Sequence, residues 1–297
     1  MELRTIQEAE FERKKVLCRL DLNVPMSDGK ITDETRINAA LPTIKHILDQ
    51  KGKLLICSHL GRPKGKQDPK YSLEAVAASL SEKLEVEVIL VKNIFQEPLS
   101  FLLNNLKDGQ VAMLENMRFF PEEKQNDRKF CSRLAEGLDI YVNDAFGTLH
   151  RAHSSTEGVS KFFPEDQCFA GLLVDKELKA LEPLLDSPEA PFVAVIGGAK
   201  VSDKVGVCLK LLEKCTHLLI GGAMAYTFLR YKNKGIGLSK VEVDKLGLIE
   251  TIYQNASLRN VEIHLPVDHV TAKDFDESAP AEIELSLIHI SEPTRPY

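Results

Sequence analysis

The chain has 297 residues, of which 43% are apolar and 28% charged, with a formal net charge of -6; this suits a globular protein long enough for two domains. The acidic balance argues against a general nucleic-acid or acidic-membrane surface, so any anion site must be a local basic patch. Six scattered cysteines with no CxxC pair predict reduced, buried thiols rather than disulfides or a zinc site; there is no apolar signal core, and no apolar run approaches the roughly eighteen residues of a membrane span.

Val16 to Leu22 reads as a strand that breaks at Asn23-Val24-Pro25, with a turn at Ser27 to Lys30. Thr32 or Asp33 is placed to cap a helix from about Glu34, whose inner face is Ile37, Ala40, Leu41, Ile44 and Ile47. Arg36 falls in its first turn, where a positive charge opposes the helix dipole and a bound anion would remove the cost. A buried strand, Lys53 to Cys57, ends in Ser58-His59-Leu60-Gly61-Arg62-Pro63-Lys64-Gly65-Lys66. Ser72 caps an amphipathic helix with Leu73, Val76, Ala77, Leu80 and Leu84 on one face. Strands follow at Val86 to Val91 and Val111 to Leu114, the second running into Glu115-Asn116-Met117-Arg118-Phe119. A helix with Phe130, Leu134 and Leu138 leads to the strand Asp139 to Val142.

Beyond that strand the chain sets down Asn143, Asp144, Gly147, Thr148, His150, Arg151, His153, Ser154, Ser155 and Thr156. Two readings stand: donors gathered for an anion at a strand's carboxyl end, or a capped connection in which Ser154 or Ser155 starts the next helix. Phe169 to Val174 is apolar, Lys176 to Leu185 is a helix, and Ser187 to Pro191 is a linker. A second series begins with the strand Phe192 to Ile196 and breaks into Gly197-Gly198-Ala199-Lys200-Val201-Ser202-Asp203-Lys204. A helix with Val205, Leu209, Leu212 and Cys215 follows, then strands at His217 to Ile220 and Glu262 to Pro266. Alternating strands and helices predict α/β architecture with mainly parallel sheets, twice over.

Ligands of such sheets bind outside the carboxyl ends of the strands. The pattern therefore gathers Arg36, His59, Arg62, Arg118, His150 and Arg151 on one face of the first domain, with Asp21 and Asn23 placed to orient the cations or meet a hydroxyl. In the second domain, Gly197 and Gly198 allow close backbone approach, and the next helix's amino end would aim donors at a phosphate. Lys200 and Lys204 would share a face if both were helical.

Taken together, RLDLNVP (Arg19 to Pro25), SHLGRPKG (Ser58 to Gly65), LENMRF (Leu114 to Phe119), VNDAFGTLHRAHSS and GGAKVSDK resemble the phosphoglycerate kinase family, in that family's order, over about residues 2 to 284. The resemblance implies two Rossmann-like parallel-sheet domains joined by a hinge helix. Residues 1–170 would form the 3-phosphoglycerate domain, 171–190 the hinge helix and linker, and 191–284 an incomplete nucleotide-binding domain. It further implies reversible phosphoryl transfer between 1,3-bisphosphoglycerate and ADP, giving 3-phosphoglycerate and ATP, in a cytoplasmic, monomeric glycolytic enzyme with no nucleic-acid or membrane partner. The implied substrate residues are Asp21, Asn23, Arg36, His59, Arg62, Arg118 and Arg151. Gly198, Ala199, Lys200 and Lys204 would meet the nucleotide, with Lys200 and Arg36 catalytic. The cofactor would be Mg2+, carried with ATP or ADP.

The family's later glutamate-bearing loop and glycine-rich GGGD-type segment have no counterpart here, so protein contacts to Mg2+ are expected to be missing. Residues 285–297, LSLIHISEPTRPY, resemble a translated sequencing adapter and are read as an appended artefact. An incomplete second sheet would leave apolar faces exposed. The alternative to an active kinase is therefore a catalytically inactive anion-binding fragment. A nucleotide-linked oxidoreductase also suits two α/β domains, but GxGxxG is absent.

Overall fold

The first strand, β1 (Lys15–Leu20), is buried along five of its six residues because it lies inside a six-stranded sheet covered on both faces. In the computed structural model, which describes residues 3–92, 94, 98–106, 110–186, 188–272 and 281–285, the chain divides into two units, Met1–Ala180 and Leu181–Tyr297. In the first unit a short hairpin, β2 (Met26–Ser27) with β3 (Lys30–Ile31), precedes α1 (Thr35–Asp49). There follow β4 (Lys53–Cys57), α2 (Glu74–Leu84), β5 (Val88–Val91), α3 (Leu99–Asn105) and β6 (Val111–Leu114). Next come α4 (Pro121–Gln125), α5 (Arg128–Ala135), β7 (Ile140–Asp144) and β8 (Cys168–Ala170), and α6 (Leu172–Asp186) carries the chain past the division. The sheet order is β5-β6-β4-β1-β7-β8, with every pairing parallel.

Side chains alternate across a strand, so a sheet buried on both faces needs unbroken apolar runs. Val16, Cys18, Leu20, Leu54 and Ile56 pack on one face with Ile37, Ile44 and Ile47 of α1 and Val76 and Leu80 of α2. Leu17, Leu55 and Cys57 pack on the other with Leu99, Phe130 and Leu134. Each such aliphatic side chain contributes roughly 1.5–3 kcal/mol on burial. From β1 the chain lays β4, β5 and β6 on one side and then crosses to add β7 and β8 on the other, which makes β1 and its neighbours β4 and β7 the switch point where a ligand crevice forms.

Several boundaries differ from the sequence reading, each for a local reason. The strand expected over Val16 to Leu22 stops at Leu20, freeing Asp21 and Asn23 for the crevice. Ser72 accepts from the Glu74 amide at 3.3 Å but spends its own proton on Glu115, at 2.8 Å. Asn143 and Asp144, expected beyond the strand, are its last two residues. Asn143 bonds to Tyr141 and to the Ala145 amide. Asp144 Oδ1 accepts from the amides of Leu173 (2.8 Å) and Val174 (3.0 Å), so it caps α6 rather than facing a ligand. Burial pushes its carboxyl above the usual range. Ser154–Gly158 does form a wide helical turn, as the second reading of that stretch required.

The second unit is built from β9 (Val193–Gly197), α7 (Val205–Leu211), β10 (His217–Gly221), α8 (Met224–Tyr231), α9 (Leu246–Leu258) and β11 (Glu262–His264). The three strands are parallel in the order β11-β10-β9. β12 (Asp268–Ala272) and β13 (Ala281–Leu285) pair antiparallel. Ala194, Ile196, Leu218 and Ile220 pack against Cys208, Met224, Phe228 and Ile252. On the opposite face of β9, Val195 is 74% exposed. Leu285, assigned by sequence to the appended tail, is the last residue of β13, opposite Asp268; residues 286–297 of that tail and residue 187 of the linker lie outside the described residues. All six cysteines are free, five of them buried. No described helix is long and apolar enough to cross a membrane.

Candidate functional site

The crevice lies where the strand ends of the first unit open. Asp21 and Asn23 follow β1, His59, Gly61 and Arg62 follow β4, and Arg118 follows β6. Gly147, Thr148 and Arg151 follow β7, while Arg36 comes from the first turn of α1 and Lys124 from α4; together they line a cleft of about 550 Å³. The structure thus brings together all seven residues expected in the substrate site, while His150 is exposed and does not line the cleft. Lys124 is a member the sequence reading missed; a single lysine after two glutamates in PEEKQ carried no signal.

Five cations face one carboxylate in this cleft. Arg36 Nη1 pairs with Asp21 Oδ2, while Arg62, Lys124 and Arg151 have no ion-pair partner among the described residues. Arg118 is held by donating to the Gly61 carbonyl at 2.7 Å, and Asn23 Oδ1 accepts from the Gly61 amide at 2.8 Å. Gly61 has φ +59°, and a Cβ there would lie 2.4 Å from the Tyr71 ring, so no other residue fits this turn without strain. Burial, with Arg19 and Arg151 nearby, lowers the Arg118 pKa.

Beneath the cleft lies Arg19, 1% exposed at the carboxyl end of β1. It donates to Ser155 Oγ (3.0 Å), Ser58 Oγ (3.4 Å), the Leu20 carbonyl and His59 Nδ1 (2.8 Å). Ser155 passes its proton to Glu123 Oε1 at 2.7 Å, and its amide donates to Glu123 Oε2 at 2.9 Å. A buried cation and a buried carboxylate are thereby joined through one hydroxyl. Arginine has no acceptor, so His59 Nδ1 must be unprotonated and the ring carries its hydrogen on Nε2. Burial, reinforced by Arg19 and Arg118, lowers the His59 pKa to about 2. His59 is therefore a neutral donor in a cationic site.

This depression has a measurable consequence. Unfolded His59 takes up a proton below about pH 6.5, whereas the folded residue does so only near 2. Between those values the unfolded state binds more protons, so stability falls as pH falls, by up to about 1.4 kcal/mol per pH unit. His153 is shifted in the same direction by burial. Urea unfolding of the His59→Gln variant is expected to show a shallower loss of stability from pH 6.5 to 4.5 than the parent. Parallel slopes would place the acid sensitivity elsewhere.

In the second unit, Lys200 is exposed in the loop after β9, and Lys204 precedes α7 at its cap. They do not share a helical face, because the helix starts only at Val205. Two of the loop's amides are turned to a carboxylate of the chain itself: those of Val201 (2.6 Å) and Ser202 (3.1 Å) donate to Glu242 Oε2, and Ser202 Oγ donates to Oε1 at 2.7 Å. These bonds, the Ser202 hydroxyl first, hold the Glu242 carboxyl below its usual range, with Lys200 adding to the effect. Glu242 was not foreseen, being forty residues from the loop it holds. Gly198 and Gly222 pack backbone to backbone; a Cβ on Gly222, at φ +65°, would lie 3.0 Å from the Gly198 nitrogen. The double glycine thus serves close packing as well as leaving room beside the lysines.

The family model described as phosphoglycerate kinase matches residues 6–293, a span that runs past Glu284. The phosphoglycerate kinase of Anaeromyxobacter dehalogenans is 49% identical over 282 residues, covering 94% of this chain and 71% of that protein. The solved structure of phosphoglycerate kinase from Coxiella burnetii superposes with a TM-score of 0.81 at 37% identity, over 97% of this chain and 72% of the other. That from Pyrococcus horikoshii gives 0.78 at 31%, over 98% and 73%. The chain belongs to the phosphoglycerate kinase family, the glycolytic kinases that move a phosphoryl group reversibly between 1,3-bisphosphoglycerate and ADP.

Proposed function

We propose that the cleft of the first unit binds 3-phosphoglycerate, or the matching end of 1,3-bisphosphoglycerate, and that the Gly198 to Lys204 loop of the second unit meets the phosphates of ATP or ADP. The observation that carries the first half is the excess of five cations over one carboxylate, three of the five having no ion-pair partner among the described residues. Arginine forks suit phosphate and carboxylate oxygens, and each charge-assisted bond contributes roughly 1.5–3 kcal/mol. Arg62, Arg118 and Arg151 would hold the ligand's remote phosphate or its hydroxyls. His59 would offer its Nε2 hydrogen, and Asp21 with Asn23 would steady Arg36 and the Gly61 turn.

The acceptor in the ATP-consuming direction is a carboxylate, already ionised at pH 7, so the reaction needs no general base. What remains is alignment and neutralisation of charge on the phosphoryl in flight. Alignment of two bound anions can lower a barrier by about 7–11 kcal/mol. Arg36 and Lys200 take the neutralising role, and Lys204, with Gly198 and Ala199, the nucleotide side.

Magnesium accompanies the nucleotide in this reading. Mg2+ takes oxygen ligands, usually one or two carboxylates plus substrate phosphates. Near the lysine loop Glu242 is committed to Val201 and Ser202, which leaves the exposed Asp203 as the loop's own carboxylate, so magnesium would be held chiefly by the nucleotide phosphates there. The reading also makes the protein a cytoplasmic monomer without nucleic-acid or membrane partners. The free thiols and the net negative charge support that part.

Calorimetric titration with 3-phosphoglycerate tests the first half. The Arg151→Ala variant is expected to bind about ten- to a hundred-fold more weakly, from roughly 1.5–3 kcal/mol for one charge-assisted contact. Equal affinity would remove Arg151 from the site, and no binding by the parent chain would overturn the placement of the ligand.

A further inference from the structure

At the end of the second sheet opposite the lysine loop, β10 and β11 bring three metal-ligating side chains together. His217 opens β10, Glu262 opens β11 directly across from it in the parallel register, and His264 lies two residues further along β11. Positions i and i+2 of a strand share a face, and parallel neighbours lie about 4.8 Å apart. The convergence is therefore set by backbone register. His217 Nδ1 lies 3.0 Å from His264 Nε2 and 3.7 Å from Glu262 Oε2, and His264 Nε2 lies 3.6 Å from that same oxygen. It is the one group of three such side chains found close enough together among the described residues.

We infer that His217, Glu262 and His264 form a surface site for a divalent transition-metal ion of the zinc class. Tetrahedral ligands at 2.0–2.1 Å from zinc lie about 3.3 Å from one another. The three observed separations straddle that value, so small side-chain adjustments would seat an ion on the triangle. Two imidazoles and a carboxylate suit zinc and its first-row neighbours and do not suit calcium or magnesium, which take oxygen ligands. His217 is half-buried while Glu262 and His264 are exposed, so a fourth position would open to water. An ion here would join the first residue of β10 to β11 and stiffen that end of the sheet. The sequence held no compact spacing to signal it, because His217 and His264 are 47 residues apart.

The test uses the full chain after chelator treatment, titrated with Zn2+ by calorimetry and followed by thermal melting. One equivalent is expected, with a rise in the melting temperature that grows with zinc concentration. His217→Ala and His264→Ala should each weaken binding by at least about ten-fold, and Glu262→Gln should weaken it measurably. All three variants should melt like the parent in the absence of zinc. Co2+ separates this site from the thiols: visible d–d bands without thiolate charge-transfer absorption support it. A thiolate signature, an affinity unchanged in the double histidine variant, or the absence of a zinc-dependent melting shift in the parent would overturn it.

Discussion

Replacing Lys200 by alanine is expected to lower turnover by about two to three powers of ten while leaving the Michaelis constants for ATP and 3-phosphoglycerate within a few-fold. The size follows from what one preorganised donor at a developing negative charge supplies in other enzymes. The selectivity for turnover follows from where the charge appears. A residue that meets the phosphoryl group only in flight stabilises the transition state without holding the ground state. Lys200 has the features this role needs: it is exposed, it sits after a strand's carboxyl end beside a double glycine, and no hydrogen bond or ion pair of its own was found among the described residues. Its neighbour Lys204 should behave differently, with the Lys204→Ala change falling mainly on the Michaelis constant for ATP. Steady-state kinetics with both substrates varied, in the presence of Mg2+, makes the distinction. A Lys200 variant that raised only the constant for ATP would be a nucleotide-binding variant, and the assignment of the two lysines would fail.

Glu242 bears on the same loop. The loop was expected to turn its amides outward to phosphate, and instead two of them are spent on this carboxylate. The lysines, with the Gly198 and Ala199 backbone before them, are consequently the part of the loop proposed for an anion. That shift could not be read from the sequence, because the partner lies forty residues downstream and nothing local distinguishes Glu242 from a surface acid.

The contrast holds across the chain. Strands such as Lys53–Cys57 and Val111–Leu114 were legible to the residue, since burial on both faces demands an uninterrupted apolar run with polar residues at its ends. The cleft was legible for a related reason: topology alone sends the residues after β1, β4, β6 and β7 to one edge of the sheet. Legibility failed where a residue's role depends on a distant partner. Asp144 looked like part of an anion site and is a cap for α6. Ser155 looked like a helix start and is the bridge between two buried charges. Arg19 sits within the apolar run VLCRL, where a charge reads as an interruption; its hydroxyl partner is 136 residues away.

Glu123→Leu is accordingly expected to destabilise the first unit by about 3–5 kcal/mol, the cost of leaving a buried charge without its compensating partner. Arg19 is 1% exposed and Glu123 equally so, and water reaches neither. Ser155 joins the two charges, accepting from Arg19 and donating to Glu123, while Glu123 Oε1 also lies 3.9 Å from His153 Nδ1. Glu123 also takes the Ser155 amide, so its loss removes both bonds that the serine donates beneath the cleft. Arg19→Met should cost a comparable amount for the converse reason and should also release His59, whose Nδ1 would lose its donor. The double variant Glu123→Leu with Arg19→Met removes both charges together. It is expected to recover a large part of the loss, because an apolar pair can replace a buried ion pair at little cost. Urea denaturation of the two single variants and the double variant completes the cycle. Simple additivity would mean that the two charges do not interact through Ser155, and the network described beneath the cleft would then be a set of independent contacts.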